Sequence, residues 1–220
     1  MITTHLSIRR ASLADVDFVV TAIREAERSG GQKTTYERLF ELEPAALDEL
    51  LRRLLAEELP GSELSCDSFL LALDGAVPVG GCAAWVEGRE APSSRLVRTN
   101  LLAFTFGEER WRQARPRLAI LAPIDLGREP NTLQIESLYV ARSHRGRGVA
   151  RALIDFAIDA CRAAAPQVGK AQIQSVIENR RSAATFAGAG FAVTREVRSE
   201  DPALGAIFPG SGRRLWERGL

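Results

Sequence analysis

A chain of 220 residues that is 45% hydrophobic and 26% charged holds enough apolar material to build a core without disulfides or metals. Its formal net charge of +1 excludes attraction to nucleic acid or membrane by whole-molecule charge, so any basic site must be local. Cys66, Cys82 and Cys161 lack CxxC spacing and read as buried thiols. Residues 1–5 lack the features of a signal peptide, and no segment approaches membrane-spanning length, so the expectation is a cytoplasmic protein.

Residues 6–9 alternate apolar and polar, as a short strand does. Ser12 and Asp15 have capping-box spacing before a helix with Val16, Val19, Val20 and Ile23 on one face, ended by Gly30 and Gly31. A second helix is expected over 44–59. Pro44 lies in its first turn, Leu47, Leu50, Leu51, Leu54 and Leu55 form one stripe, and Pro60-Gly61 is the stop. Residues 69–73 and 79–87 read as strands joined by Asp74-Gly75, and Gly80-Gly81 signals a bulge or a close backbone approach. The 88–131 stretch is too long for a structureless loop. It is expected to hold helices over 94–106 and 108–115 that form a cap or an interface. A strand over 132–140, a helix over 149–164, a strand over 172–176, a helix over 182–189 and strands over 191–197 and 214–218 follow. The order predicts one mixed α/β domain over 1–220, with an antiparallel front, one βαβ unit and an insertion at 88–131.

The stretch Arg145-Gly146-Arg147-Gly148-Val149-Ala150 joins the strand ending in Leu138-Tyr139-Val140 to the helix that starts at Val149. Gly146 and Gly148 permit positive φ and a close ligand. The helix start offers unpaired N–H groups to a polyanion such as a pyrophosphate, and Arg145, Arg147 and Arg151 add charge. Read from the residues alone, a plain turn with solvated arginines stands beside this reading. A P-loop lacks its Gly-Lys-Ser/Thr ending, and a dinucleotide fingerprint lacks its third glycine. An Arg/Gly RNA-binding segment lacks flanking aromatics, so salt-dependent nucleic-acid binding is expected to be absent.

These residues resemble the GCN5-related N-acetyltransferase (GNAT) superfamily, whose acyl-CoA loop has the form Gln/Arg-x-x-Gly-x-Gly/Ala. A second segment agrees: Asn179, Ser182, Phe186 and Gly190-Phe191 stand where the family has Asn-x-x-Ala-x-x-x-Tyr-x-x-x-Gly-Phe. Ile8-Arg9-Arg10-Ala11 with Asp15 resembles its first strand and helix. The likeness is loose over 5–87 and good over 132–218, and the insertion lies outside the common pattern. It implies a central mixed sheet of about six to seven strands with helices on both faces. It further implies an acyl-CoA, most simply acetyl-CoA, whose pyrophosphate rests on the N–H groups of Arg145, Gly146, Arg147, Gly148, Val149 and Ala150. The pantetheine arm then pairs with the backbone of Leu138, Tyr139 and Val140, where two strands splay apart. Asn179 contacts the cofactor or fixes the next helix, and Phe186 lines the same site.

The implied reaction is direct attack of an amine, on a small molecule or a peptide, upon the thioester. It needs a base, an oxyanion donor and a proton for the thiolate. Glu136 is the candidate base and the Val140 backbone N–H the candidate oxyanion donor. The family's usual tyrosine is Phe186 here, which has no proton to give. That substitution keeps open the alternative of an acyl-CoA-binding sensor with little catalysis. Tyr139 is expected to project to the face opposite Leu138 and Val140. His5 and His144 are the two histidines, and His144 reads as a solvated turn residue. No metal spacing and no covalent-triad order is present. The acceptor pocket is expected from the 24–41 connection and the insertion, whose Arg95, Arg98, Arg110, Arg112 and Arg115 either attract an anionic acceptor or lie on a solvated helix face. The closing strands or the insertion offer surfaces for a homodimer.

Overall fold

A computed structural model describes residues 6–57, 59, 61–89 and 93–220. The readings placed on residues 1–5, His5 among them, and on Pro60 lie outside the described residues. Seven strands form one sheet in the order β1-β2-β3-β4-β5-β7-β6. They are β1 (Leu6–Arg10), β2 (Phe69–Asp74), β3 (Val77–Val86), β4 (Leu133–Val140), β5 (Lys170–Val176), β6 (Ala192–Arg198) and β7 (Gly212–Gly219). The helices are α1 (Val16–Arg28), α2 (Thr35–Phe40), α3 (Pro44–Ala56), α4 (Ser94–Leu121), α5 (Val149–Ala164), α6 (Arg180–Gly188) and α7 (Leu204–Ile207). Neighbouring strands run antiparallel except β4 and β5, which are parallel. The crossover helix α5 makes that one parallel pair possible, because a tight turn cannot join parallel strands.

The sheet separates two cores. On one face the α1 residues Val19, Val20 and Ile23 and the α3 leucines pack with Leu71, Ala83 and Trp85. On the other, Val149, Leu153, Ile154, Ala157 and Ile158 of α5 pack with Ile135, Ile173, Phe186 and Trp216. A Cβ at Gly80 would lie 2.8 Å from Val149 Cγ1. The absence of that atom lets the first turn of α5 press directly on β3, which fixes where the preceding loop must sit.

Differences from expectation have local causes. The Ser12 hydroxyl donates to the Asp15 carboxylate (3.0 Å), which also accepts the Ser12 N–H (2.9 Å) and pairs with Arg9 (2.8 Å). Hydrogen bonds from Arg9 and Ser12 hold this carboxyl well below the usual carboxylate range, although burial opposes them. Helix α3 ends at Ala56 rather than 59. Helix α2 is additional; at six residues it is too short to show a period, but its capping box is intact, with Glu37 N–H donating to Thr34 Oγ1 (3.0 Å) and Thr34 N–H to Glu37 (2.6 Å). In the insertion, the two helical runs meet at Gly107 (φ 73°, ψ 169°), and the second continues through Pro116 to Leu121. Phe106 and Trp111 stack on Phe40 at 4.1 and 6.1 Å, so the insertion is clamped to α2.

Candidate active site

Strands β4 and β5 pair only at Leu133–Ala171 and Gln134–Gln172 and then separate. A bulge accompanies the separation. Between Tyr139, opposite Gly81, and Glu136, opposite Ala83, β4 has one more residue than β3, and Ser137 adopts φ 52°. A non-glycine residue in this left-handed region is strained, and such strain concentrates at functional sites. Beyond the bulge a cleft of about 950 Å³ opens between the strands.

The backbone of β4 faces this cleft in a definite way. Ala141 N–H donates to Val79 on β3 (2.8 Å). Peptide groups alternate along a strand, so the N–H and C=O of Val140 point away from β3, toward the opening. The Val140 carbonyl accepts from Arg145 Nε (3.0 Å), which leaves its N–H for a ligand. Leu138 and Val140 pack toward α5, whereas Tyr139 turns to the opposite core and meets Phe18 at 6.1 Å, as alternation requires.

At one end of the cleft, Gly146 (φ 75°) and Gly148 (φ 80°) shape the loop, and Gly148 caps α5. Among the described residues, no backbone carbonyl accepts the N–H groups from Gly146 to Ala150. This is the geometry of an anion cradle: open donors, a helix N-terminus and nearby arginines. His144 is half-buried rather than solvated. Its Nε2 lies 3.2 Å from Asp74 and its Nδ1 2.9 Å from Ser143, so it ties the loop to β2. Asn179 caps α6, accepting from Ser182 N–H (3.1 Å), and its amide donates to Ser29 (2.8 Å) at the end of α1. It therefore fixes one mouth of the cleft to the other.

Of the residues singled out from sequence, Glu136, Leu138, Tyr139, Val140, Arg145, Gly146, Gly148, Val149, Ala150, Asn179 and Phe186 line this one cleft, and Arg147 does not. Residues 25–31 and Thr35, within the 24–41 connection, line the other side of the cleft. Among the described residues, the insertion contributes no lining residue. Its arginines are engaged elsewhere: Arg95 with Asp125 (2.8 Å), Arg98 with Glu63 (2.6 Å), Arg112 with Glu109, and Arg110 over Phe106.

Residues 33–191 match the family model described as the Acetyltransferase (GNAT) family. The chain belongs to the GNAT family. Several solved structures share its fold. An N-acetyltransferase from Staphylococcus aureus Mu50 superposes with a TM-score of 0.67 at 12% identity, over 96% of this chain and 100% of that one. A Drosophila melanogaster polyamine N-acetyltransferase gives 0.59 at 15% identity, over 98% and 100%. The NatC complex bound to Gag peptide and CoA gives 0.51 at 12%, over 98% of each chain. No curated protein matches the sequence.

Beneath this GNAT cleft lies a buried ionic network. Arg128 donates to both oxygens of Glu136 (2.8 and 2.7 Å), to Glu63 (3.0 Å) and to Ser94 (2.9 Å), and stacks over Trp85 at 5.1 Å. Burial pushes the Glu63 carboxyl up, but Arg128 and Arg98 outweigh it and hold it at about 2. Replacing Arg128 with Met would leave Glu136 unpaired below the cleft and Glu63 with Arg98 as its remaining partner. The expected loss is about 3–5 kcal/mol, read as a lower denaturant midpoint with an unchanged m-value.

Glu27, Arg213 and Ser175 are cleft residues that were not singled out from sequence. Glu27 lies near the end of α1, and burial raises its carboxyl above the ordinary range despite the attraction of Arg213. Arg213 opens the β7 strand. Ser175 accepts a hydrogen bond from Trp216 Nε1 (2.9 Å). Each looks like a common surface residue in the sequence; only the splay of β4 from β5 brings them to one cavity. The thiols offer no nucleophile: Cys66, Cys82 and Cys161 are buried outside the cleft lining, and burial alone pushes Cys82 up to about 12. Among the described residues there is no group of His, Cys, Asp and Glu suited to a metal, and no helix is long and apolar enough to cross a membrane.

Proposed function

We propose that this protein transfers an acetyl group from acetyl-CoA to an amine by direct attack in a ternary complex. One observation carries the reading: a single cleft joins the open N–H cradle at Gly146–Ala150 to a desolvated carboxylate, Glu27, with the outward N–H of Val140 on the strand between. The cradle suits a pyrophosphate. The unpaired edges of β4 and β5 suit the amides of a pantetheine arm, which completes an interrupted ladder.

In this reading the amine enters from the α1 side as an ammonium ion and loses a proton to Glu27. A raised carboxyl pKa makes that carboxylate a stronger base near neutrality. Glu136 stands closer to the bulge, but both its oxygens already accept from Arg128, so it serves better as the counter-ion that positions Arg128 beneath the strand. The nitrogen attacks the thioester carbonyl carbon, and Val140 N–H stabilises the charge that develops on its oxygen. The carbon–sulfur bond breaks, and the thiolate takes a proton.

Phe186 cannot supply that proton. It is buried edge-on against Trp216 at 5.9 Å. Trp216 also donates its indole N–H to Ser175, a cleft residue whose hydroxyl keeps its own proton to donate. Ser175 is the proton donor in this reading, and it regains its proton from solvent. Because a thiolate leaves readily, Ser175→Ala should lower kcat only about tenfold, below the usual range for general acids, with the acetyl-CoA KM unchanged. Initial rates of thiol release would show this.

The function is tested by thiol release from acetyl-CoA across a panel of amines, amino acids, aminoglycosides and peptides, together with calorimetric binding. Absence of acetyl-CoA binding overturns the proposal. Phe186 favours a second reading, an acyl-CoA sensor; binding without any amine-dependent thiol release would select it.

A further inference from the structure

We infer that the acceptor is a zwitterion: an amine that also carries a carboxylate or another anionic group, held by Arg213. The inference rests on the acetyl-transfer reading for the direction in which the amine enters.

The cleft contains two charged side chains, neither of them exposed, that the protein leaves unsatisfied. Glu27 makes no hydrogen bond or ion pair among the described residues. Arg213 likewise makes none, and its Nε is buried without a partner. Glu136 is engaged with Arg128, Arg28 with Glu25 (2.8 Å) and Arg151 with Asp155 (2.5 Å), and Arg181 is exposed to solvent. Arg213 is also held in place. Its guanidinium lies over the Phe208 ring at 4.9 Å, and its backbone is paired with Val176 at the end of β5.

Burial disfavours the charge on Arg213, and attraction to Glu27 is the largest compensation, with Glu136 and Asp125 adding less and Arg98 opposing. A lone buried guanidinium is costly unless something pairs with it. A simple alkyl ammonium would take the charge of Glu27 and leave Arg213 with none. A ligand bearing both an ammonium and a carboxylate satisfies both side chains at once, and a planar guanidinium is suited to grip a carboxylate through two parallel hydrogen bonds. Arg213 is poorly placed for the cofactor pyrophosphate. It shares the Glu27 and Phe208 side of the sheet, whereas the cradle opens α5 on the other.

The test uses pairs that differ by one carboxylate: arginine and agmatine, lysine and cadaverine, tyrosine and tyramine. Affinities are measured by calorimetry with CoA present, and rates by thiol release. In at least one pair the carboxylated member should bind at least tenfold more tightly and have the lower KM. Arg213→Gln should collapse the ratio within that pair to about one, and Arg213→Lys should restore part of it. Thermal melts confirm that the variants are folded. If every pair binds equally, or if the preference survives Arg213→Gln, the inference fails while acetyl transfer stands. If the amino acid binds through Arg213 but no thiol is released, acetyl transfer fails and the zwitterion site stands.

Discussion

Gly148→Trp is expected to weaken acetyl-CoA binding by at least about 100-fold while leaving the protein folded. A Cβ built on Gly148 meets no atom within 4 Å, so the indole enters open space in front of α5 rather than the core. That space is where the N–H groups of the cradle point. Covering even two of them forfeits charge-assisted hydrogen bonds worth about 1.5–3 kcal/mol each, which corresponds to roughly 10²–10⁴ in Kd. Any side chain at φ 80° adds about 1–2 kcal/mol of backbone strain, and in a chain of this size each kcal/mol lowers Tm by about 2–4 °C. Gly148→Ala carries the same strain without the bulk, so the two variants should melt alike and differ in affinity. Calorimetry with acetyl-CoA, beside thermal melts, checks both. Unchanged affinity in the Trp variant would remove the cradle from the cofactor site.

Glu27→Gln should lower kcat/KM by about 10²–10³, within the range for loss of a general base, and should remove the acidic limb of the pH–rate profile. Burial raises the Glu27 carboxyl, so in the native enzyme that limb lies above the ordinary carboxylate range. The same shift has a stability consequence of definite sign. A carboxyl whose pKa is higher folded than unfolded keeps its proton longer in the native state. Stability therefore falls as pH rises from the unfolded value through the folded one, and stays reduced above it. Gln removes that penalty. The variant should melt higher than the native protein at pH 7–8 and lose the advantage near pH 4, while being far less active. A variant that is both fully active and unaltered in its pH profile would transfer the base role elsewhere, first to Glu136.

Local signals made much of this molecule legible. The leucines of α3 and the apolar face of α5 recur at the helical period, and α5 begins and ends where the pattern says. The positive-φ glycines, the cap at Asn179 and the alternation that sends Tyr139 away from Leu138 and Val140 all follow from interactions spanning a few residues. Even the break in the insertion at Gly107 is a glycine signal. The six-residue α2 and four-residue α7 were not legible, because neither completes two turns and neither shows a period. The role of the insertion was also hidden. Its arginines left a pocket or a solvated helix face open, and the structure pairs Arg98 with Glu63 and Arg95 with Asp125.

The chain by itself determined the glycine-turn end of this cleft, since a glycine turn, a strand before it and a helix after it are contiguous in sequence and need no distant partner to present their N–H groups. Tertiary structure alone decided the opposite end. Glu27, Ser175 and Arg213 come from α1, β5 and β7, and nothing in their neighbours marks them. Burial and mutual attraction give Glu27 and Arg213 their character, Ser175 is held by Trp216, and all three meet only in a cleft formed where β4 parts from β5.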